Sequence, residues 1–168
     1  YKKSAEKGNE EAMFHYAKML YYGDGIEPNI KEAVRYFKKS ADSGNFFAMF
    51  TYATMLKTGI SVDVNIYEAV RYYKMSADTG HNAYHFANML YNGDGVEVDK
   101  EFAAYYYKMA ADNGNTDAIY MYAKMLDMGD GIAINKVDAA CYYKKYLDKT
   151  NNSTFGDGEA SLTRSEYE

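Results

Sequence analysis

The sequence predicts an all-α protein, a solenoid of four two-helix hairpins preceded by half of another hairpin. A short motif of small and acidic residues that ends in glycine recurs along the chain. It ends at Gly8, Gly44, Gly80 and Gly114, at intervals of 36, 36 and 34 residues. Between these glycines, apolar residues follow the spacing of one helix face. The 168 residues include one proline, which leaves long stretches free to be helical.

Two more motifs recur in step with these glycines and divide the chain into units. Ala-x-Met-Leu appears four times, and Gly-Asp-Gly appears in the first, third and fourth units. The predicted units are the end of a preceding repeat over 1–8, repeats over 9–44, 45–80, 81–114 and 115–150, and a polar, mobile tail over 151–168. The third repeat is two residues shorter, so we expect its first helix to begin late or irregularly.

The first repeat illustrates why each unit is a pair of helices. Tyr16 and Leu20 lie on one face at helical spacing, and Gly23 ends this first helix because glycine accepts a left-handed conformation. Asn29 can cap the second helix at its N-terminus. Glu32, three residues later, is predicted to complete a capping box with Asn29.

Residues at fixed places in each repeat predict how the helices pack. Small side chains allow helices to approach to the lower end of the roughly 8–10 Å interaxial range. The alanines expected there are Ala17, Ala53, Ala87 and Ala123 in the first helices and Ala33, Ala69, Ala103 and Ala139 in the second. The tyrosines expected between neighbouring hairpins are Tyr36, Tyr72, Tyr106 and Tyr142. Cys141 is expected to be buried as a small hydrophobic residue.

Composition excludes several classes of protein. A net charge of −5 is unlike a strongly basic nucleic-acid binder. One cysteine cannot form an internal disulfide or a cysteine-rich zinc site. No apolar run approaches the roughly 20 residues of a membrane span. We therefore expect no nucleic-acid partner, no membrane span, no metal and no cofactor, and a cytoplasmic location, with secretion or the endoplasmic reticulum lumen left open.

The repeated motif resembles the Sel1-like repeat, a relative of the tetratricopeptide repeat, over roughly residues 1–150. The likeness rests on Ala-x-x-x-Tyr-Ala-x-x-Leu-x-x-Gly-Asp-Gly followed by a Tyr-rich second helix ending in Ala-Asp-x-Gly. Tyr16-Ala17 stands where the family usually has Leu-Gly, and Leu20 where it has Tyr. The resemblance implies a right-handed αα-superhelix that acts as a scaffold or adaptor, in signalling, degradation of misfolded proteins, or cell-envelope and host contacts. It implies no catalytic residues.

In the resembling family, the first helices line a concave groove. Each first helix here has a second stripe of residues, opposite its buried stripe. The predicted groove residues are Glu11, Phe14, Lys18, Tyr21, Tyr22, Phe47, Phe50, Thr54, Lys57, Tyr84, Asn88, Tyr91, Asn92, Asp117, Tyr120, Lys124, Asp127 and Met128. We expect them to hold a peptide or protein segment by aromatic contacts and a few hydrogen bonds. An alternative stays open for Phe14, Phe50, Tyr84 and Tyr120, which would be equally well explained by packing between helices.

Other patterns favour ordinary structural roles. His81 and His85 are four residues apart, but two ligands do not make a metal site. The Gly-Asp-Gly turns lack the features of phosphate or calcium loops, so we interpret them as helix ends. The second helices carry a basic ridge that is typical of a solvated face, with contact to an anionic surface as a weaker alternative. Its residues are Arg35, Lys38, Lys39, Arg71, Lys74, Lys108, Lys144 and Lys145.

These observations favour a non-catalytic scaffold or adaptor that binds a protein partner. Residues 1–5 match 37–41, so we expect a longer protein with further repeats or another domain upstream. The alternative function is therefore a regulatory or positioning module of a larger signalling or ubiquitin-linked enzyme. A hydrolase is the weakest hypothesis, because the spacings bring no nucleophile, histidine and carboxylate together.

Overall fold

The computed structural model describes residues 1–154. This part of the chain contains nine helices and no strand. The helices are α1 (Lys2–Ala5), α2 (Glu10–Tyr22), α3 (Ile30–Asp42), α4 (Phe46–Thr58), α5 (Ile66–Asp78), α6 (Ala83–Asn92), α7 (Lys100–Asp112), α8 (Thr116–Met128) and α9 (Lys136–Thr154). The predicted all-α class is confirmed. Residues 151–154, which we assigned to the tail, continue α9 as helix, and residues 155–168 lie outside the described part.

The helices pack in chain order as four hairpins. Helix α2 packs on α3, α4 on α5, α6 on α7 and α8 on α9, and each hairpin also packs on the next. One continuous apolar core runs through the stack from Ala5 to Met125. A single hairpin cannot bury its apolar face alone, and stacking against its neighbours buries it.

Asparagine side chains cap the N-termini of the first helices in three repeats. The Oδ1 atoms of Asn9, Asn45 and Asn115 accept hydrogen bonds from the N–H groups three residues later, at 2.7, 2.9 and 2.8 Å. Such bonds satisfy N–H groups that have no partner inside the helix. Glycine ends each of these helices, as at Gly23, whose φ of 74° lies in the left-handed region.

The predicted capping box of α3 is only half formed. Asn29 Oδ1 accepts from the Glu32 N–H at 3.0 Å, as expected. The predicted reciprocal bond, from the Asn29 N–H to the Glu32 carboxylate, is wrong, because the Asn29 N–H donates to the Leu20 carbonyl at 2.8 Å. That carbonyl lies in the last turn of α2, where carbonyls lack helical partners. The Glu32 carboxylate instead accepts from Arg35 at 3.2 Å.

The third repeat begins late, as its two missing residues predict. Helix α6 has 10 residues, whereas the other first helices have 13. Asn82 precedes it with a φ of 57°, in the left-handed region, and its side chain makes no capping bond. That side chain donates to the Ser76 hydroxyl at 2.9 Å, so it ties the loop to the preceding repeat.

The repeated alanines and tyrosines lie where the sequence predicts. The eight alanines are buried, each with 2% exposure or less. The Tyr72 and Tyr106 hydroxyls donate to Asp42 and Asp78 of the preceding repeat, each at 2.5 Å. The bond from Tyr142 to Asp112 is longer, at 3.2 Å. These hydroxyls therefore join neighbouring hairpins, whereas the rings of Tyr72, Tyr106 and Tyr142 contact aromatic rings of the first helix in their own hairpin.

The predicted burial of Cys141 is wrong, because its side chain is exposed. The equivalent residues of the earlier repeats are Arg35, Arg71 and Tyr105, and all three are exposed as well. This position lies on the outer side of the second helix, away from the hairpin partner. The apolar character of a thiol misled the prediction, whereas its place in the repeat indicates the outer surface.

Candidate partner-binding surface

The predicted groove residues all lie on α2, α4, α6 and α8, and we call these eighteen residues the first-helix face. Eight of them are exposed: Glu11, Lys18, Tyr22, Phe47, Asn92, Asp117, Tyr120 and Met128. The other ten are half-buried: Phe14, Tyr21, Phe50, Thr54, Lys57, Tyr84, Asn88, Tyr91, Lys124 and Asp127. The first-helix face therefore combines side chains that reach solvent with side chains that support the hairpins. Its role in binding stays a prediction.

The aromatic row of this face is partly packed between helices. Phe14, Phe50 and Tyr84 are half-buried, and each contacts an aromatic ring of a second helix. The ring centroids are 5.8, 5.4 and 5.9 Å apart, and the partners are Phe37, Tyr73 and Tyr107. Tyr120 also contacts a second-helix ring, that of Tyr146 at 5.3 Å, but 43% of Tyr120 is exposed. The packing alternative thus describes the first three rings better than the fourth.

Two of the three aspartates in the Gly-Asp-Gly turns, Asp94 and Asp130, bind the preceding repeat. Asp94 forms an ion pair with Lys57. Asp130 accepts a hydrogen bond from the Tyr91 hydroxyl at 2.6 Å and one from the Lys100 ammonium at 2.7 Å. The Lys100 ammonium, with help from Tyr91, holds the pKa of the Asp130 carboxyl below its usual value. Two predicted groove residues, Lys57 and Tyr91, are therefore engaged within the chain.

Sequence reasoning missed these turn contacts because it treated the turns only as helix ends. The available signal was the aspartate itself, since a helix end needs glycine but does not need a carboxylate. The sequence also places each of these aspartates about one repeat after a lysine or a tyrosine near the end of a first helix, and that spacing indicates a contact between repeats.

The second turn lacks the aspartate. Ile60 and Ser61 stand where the other turns have aspartate and glycine, and Ser61 has a φ of 68°. At this junction a cavity of about 260 Å³ opens between α2 and α4. Tyr21, Phe37 and Ile60 are among the residues that line it.

Charged residues on the face differ in whether they have partners. Asp127 pairs with Lys136 at 2.6 Å, and Glu11 lies 3.9 Å from His15. Within residues 1–154, Lys18 and Lys124 form no ion pair. Lys18 is exposed, and its ammonium lies 5.8 Å from the centre of the Phe14 ring. Asp117, which is also exposed on this face, likewise forms no ion pair in that part of the chain, so the unpaired charges are of both signs.

His81 and His85 stack against aromatic rings of the preceding repeat. The ring centroids of His81 and Phe46 are 3.7 Å apart, and those of His85 and Phe50 are 4.8 Å apart. Burial against the neighbouring groups lowers the pKa of His85. In the described residues, no group of three or more histidine, cysteine, aspartate or glutamate side chains is arranged so that it could hold a metal ion. A polar cavity of about 590 Å³ lies beside both histidines, where α6 begins late.

The basic ridge of the second helices is largely paired with carboxylates. Lys74 and Lys108 lie 2.7 and 2.6 Å from the aspartates four residues later. Lys38 lies 3.4 Å from Asp42 and 3.5 Å from Glu68. Arg35 and Arg71 also pair with glutamates on their own helices. These pairs reduce the charge that the ridge offers, and contact with an anionic surface stays a prediction.

The sequence profile of the Sel1 repeat matches four segments of the chain, residues 10–45, 47–81, 83–115 and 116–145. The chain belongs to the Sel1 repeat family. Proteins of Sel1 repeats are generally protein-interaction scaffolds, and the fold is typically non-catalytic. No curated protein matches the chain significantly in sequence. Within residues 1–154, no helix combines the length and the apolar character that crossing a bilayer requires.

Two solved structures are similar to this Sel1 repeat chain. One is a protective antigen of uropathogenic Escherichia coli with an SLR fold, at 26% identity and a TM-score of 0.77 over 88% of the chain. The other is a Sel1 repeat protein from Oxalobacter formigenes, at 27% identity and a TM-score of 0.75 over 87% of the chain. The chain spans 32% of the first structure and 61% of the second. These likenesses support the solenoid fold.

Proposed function

We propose that this Sel1 repeat chain is a non-catalytic scaffold or adaptor that binds a peptide or protein segment on the first-helix face. The observation that carries the proposal is the exposure of large apolar side chains along that face. Tyr22, Phe47 and Met128 are 72%, 55% and 63% exposed. Burial of such side chains supplies much of the binding free energy at protein interfaces.

The charges on the face are of both signs and support a ligand that carries charged groups, because Lys18, Lys124 and Asp117 are all available for pairing. Lys18 and Lys124 have no carboxylate partner in residues 1–154, whereas the lysine at position 57 does. A carboxylate on the ligand could form an ion pair with one of these lysines, and that pair would orient the bound segment. The same charges make the predicted affinity dependent on salt, because exposed ion pairs are screened.

The surroundings of the histidines support a role without catalysis. Each histidine lies beside an aromatic ring, with centroid distances of 4.9 Å for His15 with Tyr1 and 3.7 Å for His81 with Phe46. A ring stacked on an imidazole favours packing over proton transfer. The alternative, a positioning module of a larger signalling or ubiquitin-linked enzyme, would use the same face to hold its partner.

A binding experiment with variants tests the proposal. Proteins captured by the purified chain would be identified, and the affinity of one captured partner would be measured by calorimetry. Tyr22→Ala and Phe47→Ala should each weaken binding by about tenfold or more, as expected for interface anchors. Tyr67→Ala is the matched control, because Tyr67 is 86% exposed on a second helix. Equal affinities for all three variants and the parent chain would reject the first-helix face.

A further inference from the structure

One edge of the solenoid carries an exposed apolar residue from every repeat. Four loops join the two helices of each hairpin, residues 23–29, 59–65, 93–99 and 129–135, and we call this side of the molecule the loop edge. The residue just before the one that caps each second helix is Pro28, Val64, Val98 or Ile134. Pro28 is exposed, and the other three are 60%, 57% and 62% exposed. These four residues form the apolar row of the loop edge.

The fold explains where these side chains lie but leaves most of their surface open. Successive loops are neighbours, since Asp94 of the third loop pairs with Lys57 near the end of α4. The apolar residues also lie against the glycines that end the first helices, as a Cβ atom on Gly59 would be 2.7 Å from Val64 Cγ2. That contact covers only one side of the residue. Exposed apolar surface with a polar rim is typical of a protein-interaction site.

The charged residues of the four loops are all acidic. These loops contain seven aspartate or glutamate residues and no lysine, arginine or histidine. Asp94 and Asp130 pair with lysines, and Asp99 caps α7 through the Phe102 N–H at 2.9 Å. The other four form no ion pair within residues 1–154, and they are Asp24, Glu27, Asp63 and Glu97. Three of these four directly precede a member of the apolar row.

Basic residues beside the loops do not cancel this charge. Lys57, Lys100 and Lys136 are already paired with aspartates. Lys31 on the first turn of α3 forms no ion pair in the described part of the chain, but Glu101 occupies the equivalent place in the third repeat and is unpaired there as well. Lys18 and Lys124 belong to the first-helix face, more than one helical turn before the loops. The loop edge therefore keeps a surplus of negative charge next to its apolar row.

We propose that the loop edge is a second docking surface, which binds a protein segment whose lysine or arginine residues stand next to aliphatic residues. The aliphatic side chains pack on Val64 and Val98, and the cationic groups pair with Asp63 and Glu97. Apolar contacts usually supply most of the affinity, and complementary charge sets orientation and partner choice. This surface is separate from the first-helix face, whose exposed Phe47 lies at the opposite end of α4.

Charge distinguishes this partner from others that an exposed apolar row can contact. Unpaired carboxylates repel nucleic acids and membranes with anionic lipids. A second copy of the chain offers few unpaired cations, because the lysines of the basic ridge largely pair with aspartates, as at Lys74 and Lys108. Co-sedimentation with vesicles of phosphatidylcholine and phosphatidylserine, or self-association that a charge-reversed loop edge abolishes, would overturn the proposal.

Peptides displayed on phage test the inference directly. They would be selected on the parent chain and then cleared of those that also bind the loop variant, which combines Glu27→Lys, Asp63→Lys and Glu97→Lys. The remaining peptides should carry lysine or arginine beside leucine, isoleucine or valine. In fluorescence anisotropy, their synthetic forms should bind the loop variant about tenfold or more less tightly than the parent, and their affinity for the parent should decrease as salt increases.

The matched control makes the same change in net charge outside the loops. Glu6→Lys, Glu10→Lys and Asp148→Lys replace three exposed carboxylates, and together they should change the affinity by less than about twofold. If the loop variant folds poorly by circular dichroism, the neutral combination of Glu27→Gln, Asp63→Asn and Glu97→Gln should still weaken binding. Val64→Ser with Val98→Ser tests the apolar row and should also weaken binding. Leu147→Ser is its control, because Leu147 is 54% exposed on α9, away from the loops.

The outcomes separate this inference from the proposed function. Remaining peptides without basic residues, or equal losses of affinity with the loop variant and its control, would overturn the loop edge. A selection in which every peptide also binds the loop variant would overturn it as well. Peptides of that last kind that lose affinity with Phe47→Ala would leave the proposed function standing.

Discussion

Removing the Tyr106 hydroxyl tests whether hydrogen bonds between repeats stabilise the solenoid. The hydroxyl donates to Asp78 at 2.5 Å and so joins α7 to α5, while the ring is 1% exposed. Tyr106→Phe removes the donor and keeps the ring. A hydrogen bond to a charged group contributes about 1.5–3 kcal/mol. The Asp78 side chain is 47% exposed and keeps Lys74 at 2.7 Å, so we expect a loss at the lower end of this range, about 1.5 kcal/mol.

The neighbouring tyrosine provides the matched control. Tyr105 is 55% exposed, and its hydroxyl makes no hydrogen bond within residues 1–154. Tyr105→Phe should therefore change the free energy of unfolding by less than about 0.5 kcal/mol. Both variants would be unfolded in urea at neutral pH and followed by circular dichroism. The loss of unfolding free energy for Tyr142→Phe should lie between the losses for these two variants, because the Tyr142 bond to Asp112 is longer, at 3.2 Å.

The result that would refute this reasoning is a loss for Tyr106→Phe no larger than the loss for Tyr105→Phe. In that case the hydroxyl would contribute no more in the folded chain than in water, and the apolar core alone would join the repeats. Parallel loss of far-ultraviolet signal and of tyrosine fluorescence would show that each variant unfolds in one transition, which the comparison of free energies requires.

Three further predictions concern pH, backbone and packing. Burial raises the pKa of Tyr106 and of Tyr107, so these tyrosines lose their protons at a lower pH in the unfolded chain than in the folded chain. The free energy of unfolding should therefore be constant up to about pH 10, the pKa of a free tyrosine, and should decrease above it. A urea midpoint that stays constant through that range, measured beside tyrosinate absorbance, would contradict this. Ser61→Gly should stabilise the chain by about 0.5–1 kcal/mol, because Ser61 has a left-handed φ of 68°; thermal melting would show a higher midpoint, and an unchanged one counts against the argument. Ala53→Leu should cost about 1–3 kcal/mol or more in urea unfolding because Ala53 is fully buried, whereas Ala140→Leu, at an exposed helical position, should have little effect.

Local sequence signals predicted the helices of this fold well. Apolar spacing depends on residues within one or two turns, and Gly23 and Asn29 act on the backbone beside them. The two missing residues of the third repeat likewise predicted the late start of α6. The stack followed from the repetition, since units with one apolar face need neighbours.

Contacts between repeats were harder to predict than the helices. Asp94 and Lys57 are 37 residues apart, and only the packing of two hairpins brings them together. The half-buried state of Tyr91 has the same origin, because Asp130 of the following repeat bonds to it, whereas Tyr21 contacts Phe37 of its own repeat. Sequence spacing placed the first-helix face on α2, α4, α6 and α8, but it could not show which of the side chains on that face would contact the next hairpin. The burial of Cys141 was predicted wrongly because the apolar character of the thiol was given more weight than its place in the repeat, which is exposed in the other units.

The late start of α6 has a consequence for the length of ligand that the solenoid can accept. Three residues fewer remove about 4.5 Å of helix at a rise of 1.5 Å per residue. The third of the four first helices, α6, is therefore shorter than its neighbours, and the two full-length helices α2 and α4 lie on one side of it. If the proposed ligand binds along the first helices, we expect a short motif of a few residues on α2 and α4 to bind better than a long extended segment that continues to α8.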